Sequence, residues 1–355
     1  MITVLLAARN GAAYISEQID SILTQQEAEL QLIVSDDCSQ DETWSILETY
    51  EARFPGRVIA MKRSRASGSA AVHFLELLSL MGELSLLQHA DPQKTQSFVP
   101  ESVLPNWKLG TTELKALYQA AQADFFMLSD QDDVWFPEKA KKLLHCMQET
   151  LQKAEKKGAL PAEVPVLVHS NLQVADSSLR VLSSDFFRYQ KISPERTALS
   201  QLLVQNNITG AAVLLNRAFL PLLLRRPEVC LMHDAWLGLL ASAFGTIAYV
   251  QEPLYLYRQH GMNDLGAEAG DSLSGIWARL KDGRKAKENY RRMFGQARCL
   301  LELFSDRLSG QQKEVLSVFS EFPEHGRIWR MRMILKYGFT KNTVFRTLGE
   351  MLMIG

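Results

Sequence analysis

The feature that most constrains the fold is an alternation of apolar runs and helical stripes over the first 60 residues. Short uncharged runs at 3–8 and 32–35, and another at 58–61, are typical of buried strands. Between them, apolar residues recur at helical spacing around 15–23 and 43–54. Strands and helices that alternate through short connections predict an α/β fold with a parallel sheet covered by helices.

Later segments extend this pattern and then change it. A run at 125–128 predicts a fourth central strand, and further extended segments are expected after it. Residues 82–112 have weak patterning and predict an insertion loop. The sheet-forming domain is expected to span 1–265. Helical spacing after a Gly-, Asp- and Ser-rich linker predicts a C-terminal helical module at 271–355.

Composition excludes several classes of protein. The 355 residues include 39 Lys and Arg against 40 Asp and Glu, without the basic excess of a nucleic-acid binder. The four cysteines form no Cys-x-x-Cys pair, which disfavours a zinc knuckle or a disulfide framework and suits a reducing compartment. No signal peptide pattern or spanning helix is recognisable. A cytoplasmic location is expected.

The strongest local signal is an acidic turn after the strand at 125–128. Asp130, Asp132 and Asp133 lie within four residues and would repel one another unless a cation neutralised them. Oxygen ligands favour Mg²⁺ or Mn²⁺ over zinc. The alternative is a solvated acidic turn that caps the helix beginning near Pro137.

Two further acidic segments carry alternatives of their own. Asp36 or Asp37, after the strand at 32–35, could accept the N3–H of a uracil or thymine ring, while Ser39 or Asp41 suits the cap of the next helix. Asp234 precedes a long apolar run, where burial would raise its pKa and allow it to act as a general base. The competing interpretation is a helix N-cap.

In their order along the chain, these segments resemble glycosyltransferase family 2, the inverting enzymes with the GT-A fold. The resemblance is strongest to the rhamnosyltransferase-like branch that builds bacterial surface polysaccharides, and it covers about residues 1–265. The matching segments are Asn10–Gly11, Glu17–Gln25, Ser35–Asp41, Gly68–Phe74, Leu128–Lys139, His169–Asp176, Asn207–Asn216, His233–Gly245 and Glu252–Asn263.

The resemblance implies a role for each matching residue. Ala8, Arg9, Asn10, Asp37 and Asp130 would bind the donor nucleotide, with Asp37 on the pyrimidine base. Asp130, Asp132 and His260 would hold the metal, and Asp234 would be the catalytic base. The residues expected near the donor or acceptor sugar are Asp133, Trp135, Asn207, Gly210 and His233.

The resemblance also implies the reaction. The chain would transfer a sugar from a dTDP- or UDP-sugar, such as dTDP-rhamnose, to a hydroxyl of a glycan or lipid-linked glycan, with Mg²⁺ or Mn²⁺ as cofactor. Arg9 stands where an aromatic residue usually precedes Asn-Gly, His73 replaces an Asn, and Asn171 replaces an Asp. These departures leave open a non-catalytic glycan-binding scaffold. A metal-dependent nucleotidyltransferase is the other alternative.

The last 31 residues, 325–355, form a basic and apolar tail. This segment contains six Lys and Arg residues and a single acid, Glu350, and large apolar residues are interspersed among them. Such a stretch predicts peripheral contact with the inner face of a cell membrane. The alternative is a helix packed on the catalytic domain with its basic face in water.

Overall fold

The computed structural model describes residues 1–86, 106–260, 283–344 and 346–347. These residues form one large β-sheet with helices on both faces. The strands are β1 (Ile2–Ala8), β2 (Leu30–Asp36), β3 (Val58–Arg63), β4 (Trp107–Lys108), β5 (Phe125–Ser129), β6 (Val134–Trp135), β7 (Val166–Ala175), β8 (Val181–Ser183), β9 (Val213–Asn216) and β10 (Thr246–Arg258).

Twelve α-helices are described within those ranges. They are α1 (Ile15–Leu23), α2 (Thr43–Arg53), α3 (Ala70–Leu86), α4 (Thr111–Ala120), α5 (Lys139–Glu155), α6 (Phe186–Gln190), α7 (Leu199–Val204), α8 (Leu220–Leu223), α9 (His233–Phe244), α10 (Gly283–Leu303), α11 (Gly310–Ser320) and α12 (Arg327–Tyr337). None of the described helices combines the length and apolar character that crossing a bilayer requires.

The strand order is β4-β3-β2-β1-β5-β9-β7-β10-β6, with β8 on β7. The long strands β1, β2, β3 and β5 are parallel, as are β7 and β10, and the short strands β4, β6, β8 and β9 run in the opposite direction. The α/β fold class, with its mostly parallel sheet and C-terminal helices, is therefore confirmed.

The core follows from the two-residue period of the strands. Leu5 and Ile33 point to one face and join the cluster formed with α3, α4 and α9. Val4 and Leu32 point to the other face, where α1 and α5 cover them. Both faces of β1 are buried, which explains why its sequence is a continuous apolar run.

The C-terminal helices share the first of these clusters. Phe294 of α10 and Phe319 of α11 belong to the same buried cluster as Trp236 of α9. The Gln312 side-chain amide also donates to the Ala243 carbonyl at 2.6 Å. The division at 265 and 271 remains a prediction, because the linker lies outside the described residues.

Three features differ from the sequence-based expectations. Strand β9 lies antiparallel between β5 and β7, in a segment too short to be recognised by its pattern. The sequence predicts separate extended segments at 247–250 and 254–257, whereas both belong to the single strand β10, with register shifts around Pro253, which has no N–H to donate. The expected loop at 82–112 begins inside α3 and ends in the first turn of α4, and 87–105 lie outside the described residues.

Candidate functional site

A cavity of about 770 Å³ opens at the carboxyl ends of β1, β2 and β5. This is where ligands bind in open α/β sheets, and the volume is within the usual range of ligand sites. Eleven of the thirteen predicted site residues line it. They are Ala8, Arg9, Asn10, Asp37, Asp130, Asp132, Asn207, Gly210, His233, Asp234 and His260.

The first two loops at this edge are joined by hydrogen bonds. Asn10 adopts a left-handed conformation, with φ of 50°, which Asn tolerates better than most residues. Its N–H donates to the Ser39 hydroxyl at 2.9 Å, and its side-chain oxygen accepts from the Gln40 N–H at 2.8 Å. Asp41 accepts from the Ala12 and Thr43 N–H groups, so it stabilises the loops and the start of α2.

Asp37 is held by groups on three sides. One carboxylate oxygen accepts from the Ser67 N–H at 2.7 Å and lies 3.1 Å from the Arg63 Nε atom. The other accepts from the Ser67 hydroxyl at 2.8 Å and lies 3.5 Å from Arg9. Because Arg63 is only 2% exposed, a buried cation fixes the orientation in which Asp37 faces the cavity.

The acidic turn meets the end of β10. The Asp132 carboxylate lies 2.7 Å from the His260 Nε2 atom, and the His260 ring stacks on Tyr14 at 4.9 Å between centroids. Burial raises the pKa of Asp132, and the hydrogen bond with His260 opposes that effect. Gln131 points toward the first loop, where its amide exchanges two hydrogen bonds with the Arg9 backbone.

The donor set fits a magnesium-type site that is completed by substrate. Asp132 and His260 are in contact, and Asp130 lines the same cavity. Within the described ranges, no cluster of three or more His, Cys, Asp or Glu side chains forms a ready metal cage. Mg²⁺ commonly binds through one or two carboxylates together with substrate phosphates and waters, so a complete cage is not required.

The structure does not bring Asp133 and Trp135 to the cavity, and the prediction that they contact a sugar is corrected. Asp133 is fully buried behind the turn and accepts from the Arg258 N–H at 3.1 Å. Burial, followed by the charges of Asp132 and Asp130, raises its pKa well above the ordinary value. Trp135 is buried over the ammonium group of Lys139, 3.6 Å from its ring centroid.

Asp234 lies in the first turn of α9 and is not the N-cap residue, which is Met232. One of its oxygens accepts from the Asn206 side chain at 3.0 Å and from the Ala235 N–H, and the other accepts from the Gly210 N–H at 3.0 Å. Burial raises its pKa to about 6, although these hydrogen bonds oppose the shift. A carboxylate with this pKa is ionised near neutral pH and still basic enough to accept a proton.

Gly210 is required by the close approach of a histidine. A Cβ atom on Gly210 would lie 2.2 Å from the His233 Nε2 atom. His233 is buried against Phe74, and burial lowers the pKa of its ring to about 3. His233 is therefore neutral and lies behind the glycine turn that donates to Asp234.

Sequence reasoning missed several residues of the site. Asn206 orients Asp234, Arg63 and Ser67 orient Asp37, and Met293 of α10 lines the cavity. Asn206 precedes a predicted site residue, which could have drawn attention to it. Arg63 and Met293 act across long sequence separations that no local pattern reveals.

Two sequence comparisons match this chain to known proteins. The model of the family described as Glycosyl transferase family 2 matches residues 3–77, which include β1, β2 and the Asp37 loop. The dTDP-rhamnosyl transferase RfbG of Shigella flexneri is 22% identical over 271 residues, 74% of this chain and 74% of the relative.

Two solved structures also match this chain, both with low sequence identity. S. aureus TarS 1–349 in complex with UDP is 13% identical, with a TM-score of 0.48, and the match covers 92% of this chain and 73% of that solved chain. The mannosyltransferase PcManGT from Pyrobaculum calidifontis, in complex with GDP-Man and Mn²⁺, is 14% identical, with a TM-score of 0.41, covering 95% of this chain and 84% of that one.

The family match and the curated relative identify the chain as an enzyme of the glycosyltransferase class. More particularly, the predicted resemblance to family 2 and to its rhamnosyltransferase-like members is confirmed.

Proposed function

We propose that this chain transfers a sugar from a nucleoside diphosphate sugar to an acceptor hydroxyl, with inversion at the anomeric carbon. The observation that carries the proposal is the position of Asp234. Its carboxylate, with a pKa of about 6, lines the same cavity as Asp37 and the Asp132–His260 pair. A base, a nucleotide-binding carboxylate and an acidic turn together suit this reaction.

At the donor end, Ala8, Arg9 and Asn10 would line the nucleotide pocket, and Asp37 would accept the N3–H of a uracil or thymine ring. The name of the Shigella relative supports dTDP-rhamnose as the donor. Asp130, Asp132 and His260 would hold Mg²⁺ or Mn²⁺. When bound, the cation would neutralise negative charge on the leaving diphosphate.

At the reacting end, Asp234 accepts the proton of the acceptor hydroxyl. The hydroxyl oxygen attacks the anomeric carbon from the face opposite the diphosphate and forms the new glycosidic bond. The bond between the anomeric carbon and the diphosphate oxygen breaks, and the nucleoside diphosphate leaves with that electron pair. The hydrogen bonds from Asn206 and Gly210 keep Asp234 oriented throughout.

A glycan or lipid-linked glycan of a cell-surface polysaccharide is the proposed acceptor, and α12 supports peripheral contact with the cytoplasmic face of a membrane. Ile328 and Leu335 are 72% and 71% exposed, and Met331 lies between them on the same helical face. Arg327 and Arg332 flank this apolar ridge on either side. An apolar ridge between cations suits the interface of an anionic bilayer.

Thermal stability in the presence of nucleotides tests the proposal. The purified chain would be melted with UDP, dTDP, GDP or CDP, each with and without Mn²⁺. We expect UDP or dTDP to raise the melting temperature more with Mn²⁺ than alone. At a hundredfold excess over Kd, binding stabilises the native state by about 2.7 kcal/mol. Absence of a shift with every nucleotide would overturn the proposal.

Product analysis separates this activity from nucleotidyl transfer. Incubation with dTDP-rhamnose or UDP-sugars and acceptor should release the nucleoside diphosphate. Release of pyrophosphate instead would favour the nucleotidyltransferase alternative.

A further inference from the structure

Two groups of the residues that line the cavity differ in their chemistry. The first group comes from the ends of β1, β2, β5 and β10, and it carries Arg9, Asp37, Asp130, Asp132 and His260. The second group comes from α6, α7, the segment 205–210, the start of α9, and α10. Charged groups are concentrated in the first.

The second group is almost free of charge. Among the lining residues that the structure describes there, Asp234 is the only charged side chain. The other lining side chains of this group include nine apolar groups larger than alanine and five carboxamides. The apolar ones are Phe186, Ile192, Leu202, Leu203, Val204, Ile208, Leu231, Met232 and Met293, and the carboxamides are Gln190, Gln205, Asn206, Asn207 and Gln296.

Asn207 supplies an unused acceptor in this group. Its side chain is 2% exposed, and its Nδ2 atom donates to the carbonyls of Ser193 at 2.7 Å and Arg196 at 3.1 Å. These bonds fix the orientation of the amide, and its Oδ1 atom has no hydrogen-bond partner in the structure. A buried acceptor without a partner lowers stability, so Asn207 is held in this position at a cost.

Gln296 extends the surface from the C-terminal helices. Its Oε1 atom accepts from the Leu231 N–H at 3.1 Å, which fixes the amide of α10 against the segment before α9. Met293, one helical turn earlier, lines the same part of the cavity. Helix α10 therefore contributes one apolar group and one carboxamide.

This chemistry selects for a neutral polyol. Carboxamides donate to and accept from hydroxyl groups, and apolar side chains pack against the C–H faces of a sugar ring. A carboxylate or phosphate here would lose hydration without meeting a cation, and it would lie near the negative charge of Asp234.

We propose that the second group forms the acceptor subsite and that it takes a neutral sugar unit, without a carboxylate, phosphate or sulfate on the reacting ring. This inference rests on the proposed transferase function. It names the class of acceptor that the donor-binding residues leave undefined.

Methionine methyl NMR tests the inference on the full chain without requiring turnover. The protein would be labelled with [methyl-¹³C]methionine and saturated with dTDP or UDP and Mn²⁺, and a Met293→Leu variant would assign the Met293 resonance. Methyl β-D-glucopyranoside and methyl β-D-glucuronide are suitable probes, because they differ by a carboxylate. We expect the glucoside to shift the Met293 resonance and the glucuronide to leave it unchanged at the same concentration.

A charge variant provides the second measurement. Gln296→Glu is nearly isosteric and keeps an oxygen for the Leu231 N–H, but it adds a negative charge to the subsite. The glucoside should bind this variant at least tenfold more weakly, while nucleotide affinity stays within about twofold. Gln311→Glu, at an exposed position of α11, is the matched control and should bind the glucoside as the wild type does.

The outcomes separate the two proposals. Equal or tighter binding of the glucuronide, or no response of Met293 to either glycoside, overturns the neutral acceptor subsite while nucleotide binding still supports the transferase. Failure of every nucleotide to bind argues against the transferase itself.

Discussion

Gln131 and Arg9 are joined by two hydrogen bonds. The Arg9 N–H donates to the Gln131 Oε1 atom at 2.7 Å, and the Gln131 Nε2 atom donates to the Arg9 carbonyl at 3.0 Å. Gln131, which lies between Asp130 and Asp132 in the acidic turn, therefore holds the first loop of the sheet in place. These two hydrogen bonds consequently fix the proposed metal-binding turn against the proposed nucleotide loop.

Gly11 permits this contact, and its replacement should disrupt it. A Cβ atom on Gly11 would lie 2.2 Å from the Gln131 Oε1 atom. We expect Gly11→Ala to weaken nucleotide binding about tenfold, or about 1.4 kcal/mol, as measured by calorimetry. In a Gln131→Ala background the same substitution should cost much less, because the nearest atoms to the added Cβ all belong to Gln131.

Gly310→Ala is the control for this comparison of Gly11→Ala in two backgrounds, since a Cβ there would meet no atom within 4 Å. Equal losses from Gly11→Ala in both backgrounds would show that the clash with Gln131 is not the cause.

Asp234→Asn should lower kcat about 10²- to 10⁴-fold, because the amide cannot accept the acceptor proton. Nucleotide affinity should change little. In the wild type, kcat/KM should rise with pH through an apparent pKa near 6, because only the ionised carboxylate is active. A steady-state pH profile of kcat/KM measures this rise, which should be absent from the Asp234→Asn variant.

Asp124→Asn is the matched control for Asp234, because Asp124 is exposed before β5, at the opposite edge of the sheet from the cavity. It should keep the wild-type kcat and pH profile. Near-full turnover by Asp234→Asn would contradict the assignment of the base.

His169 should make the protein less stable as pH falls from 7 to 5. Burial lowers the pKa of its ring to about 4, so the unfolded chain binds a proton more readily in this range. The difference corresponds to about 2 kcal/mol of unfolding free energy lost between pH 7 and 5. Denaturant unfolding of His169→Leu should show a correspondingly weaker pH dependence.

His145→Leu removes an exposed histidine and serves as the control. Its free energy of unfolding should depend on pH as that of the wild type does. If His169→Leu behaved in the same way, the buried ring would not be the source of the effect.

The ridge of α12 should bind vesicles that contain phosphatidylglycerol and not vesicles of phosphatidylcholine alone. Replacing Ile328 and Leu335 together by Asp should abolish cosedimentation, because it removes the apolar ridge and repels the anionic surface. High salt should weaken wild-type binding. Leu160→Asp, at another exposed apolar position, should have no effect. Absence of wild-type binding to anionic vesicles would refute the contact.

Local patterns predicted the parts of this molecule that depend on local physics. Continuous apolar runs identified β1 and β2, because both of their faces are buried. The rule that parallel strands end at a common edge brought Asp37 and Asp132 into one cavity. That rule predicted that the two acidic loops meet at one edge of the sheet, but not which of their aspartates face the cavity.

What could not be predicted depends on contacts between distant segments. Asp133 and Asp132 are neighbours in one acidic turn, yet one is sealed beneath Arg258 and the other faces the cavity. The sequence of the acidic turn does not distinguish the two aspartates. Strand β9 pairs antiparallel with β7, and α10 lines part of the cavity. Both features likewise depend on packing between segments that are distant in sequence.

The buried cluster that joins α10 and α11 to α9 has a consequence for engineering. A chain cut after residue 265 would leave Phe244 of α9 without Phe304, which follows α10 and whose ring centroid lies 5.1 Å away. If these helices were exchanged between related enzymes, the core residues that pack against them would have to be exchanged as well. The cavity lining would change at the same time. Folding cooperativity and the lining of the proposed acceptor subsite therefore depend on the same few helices.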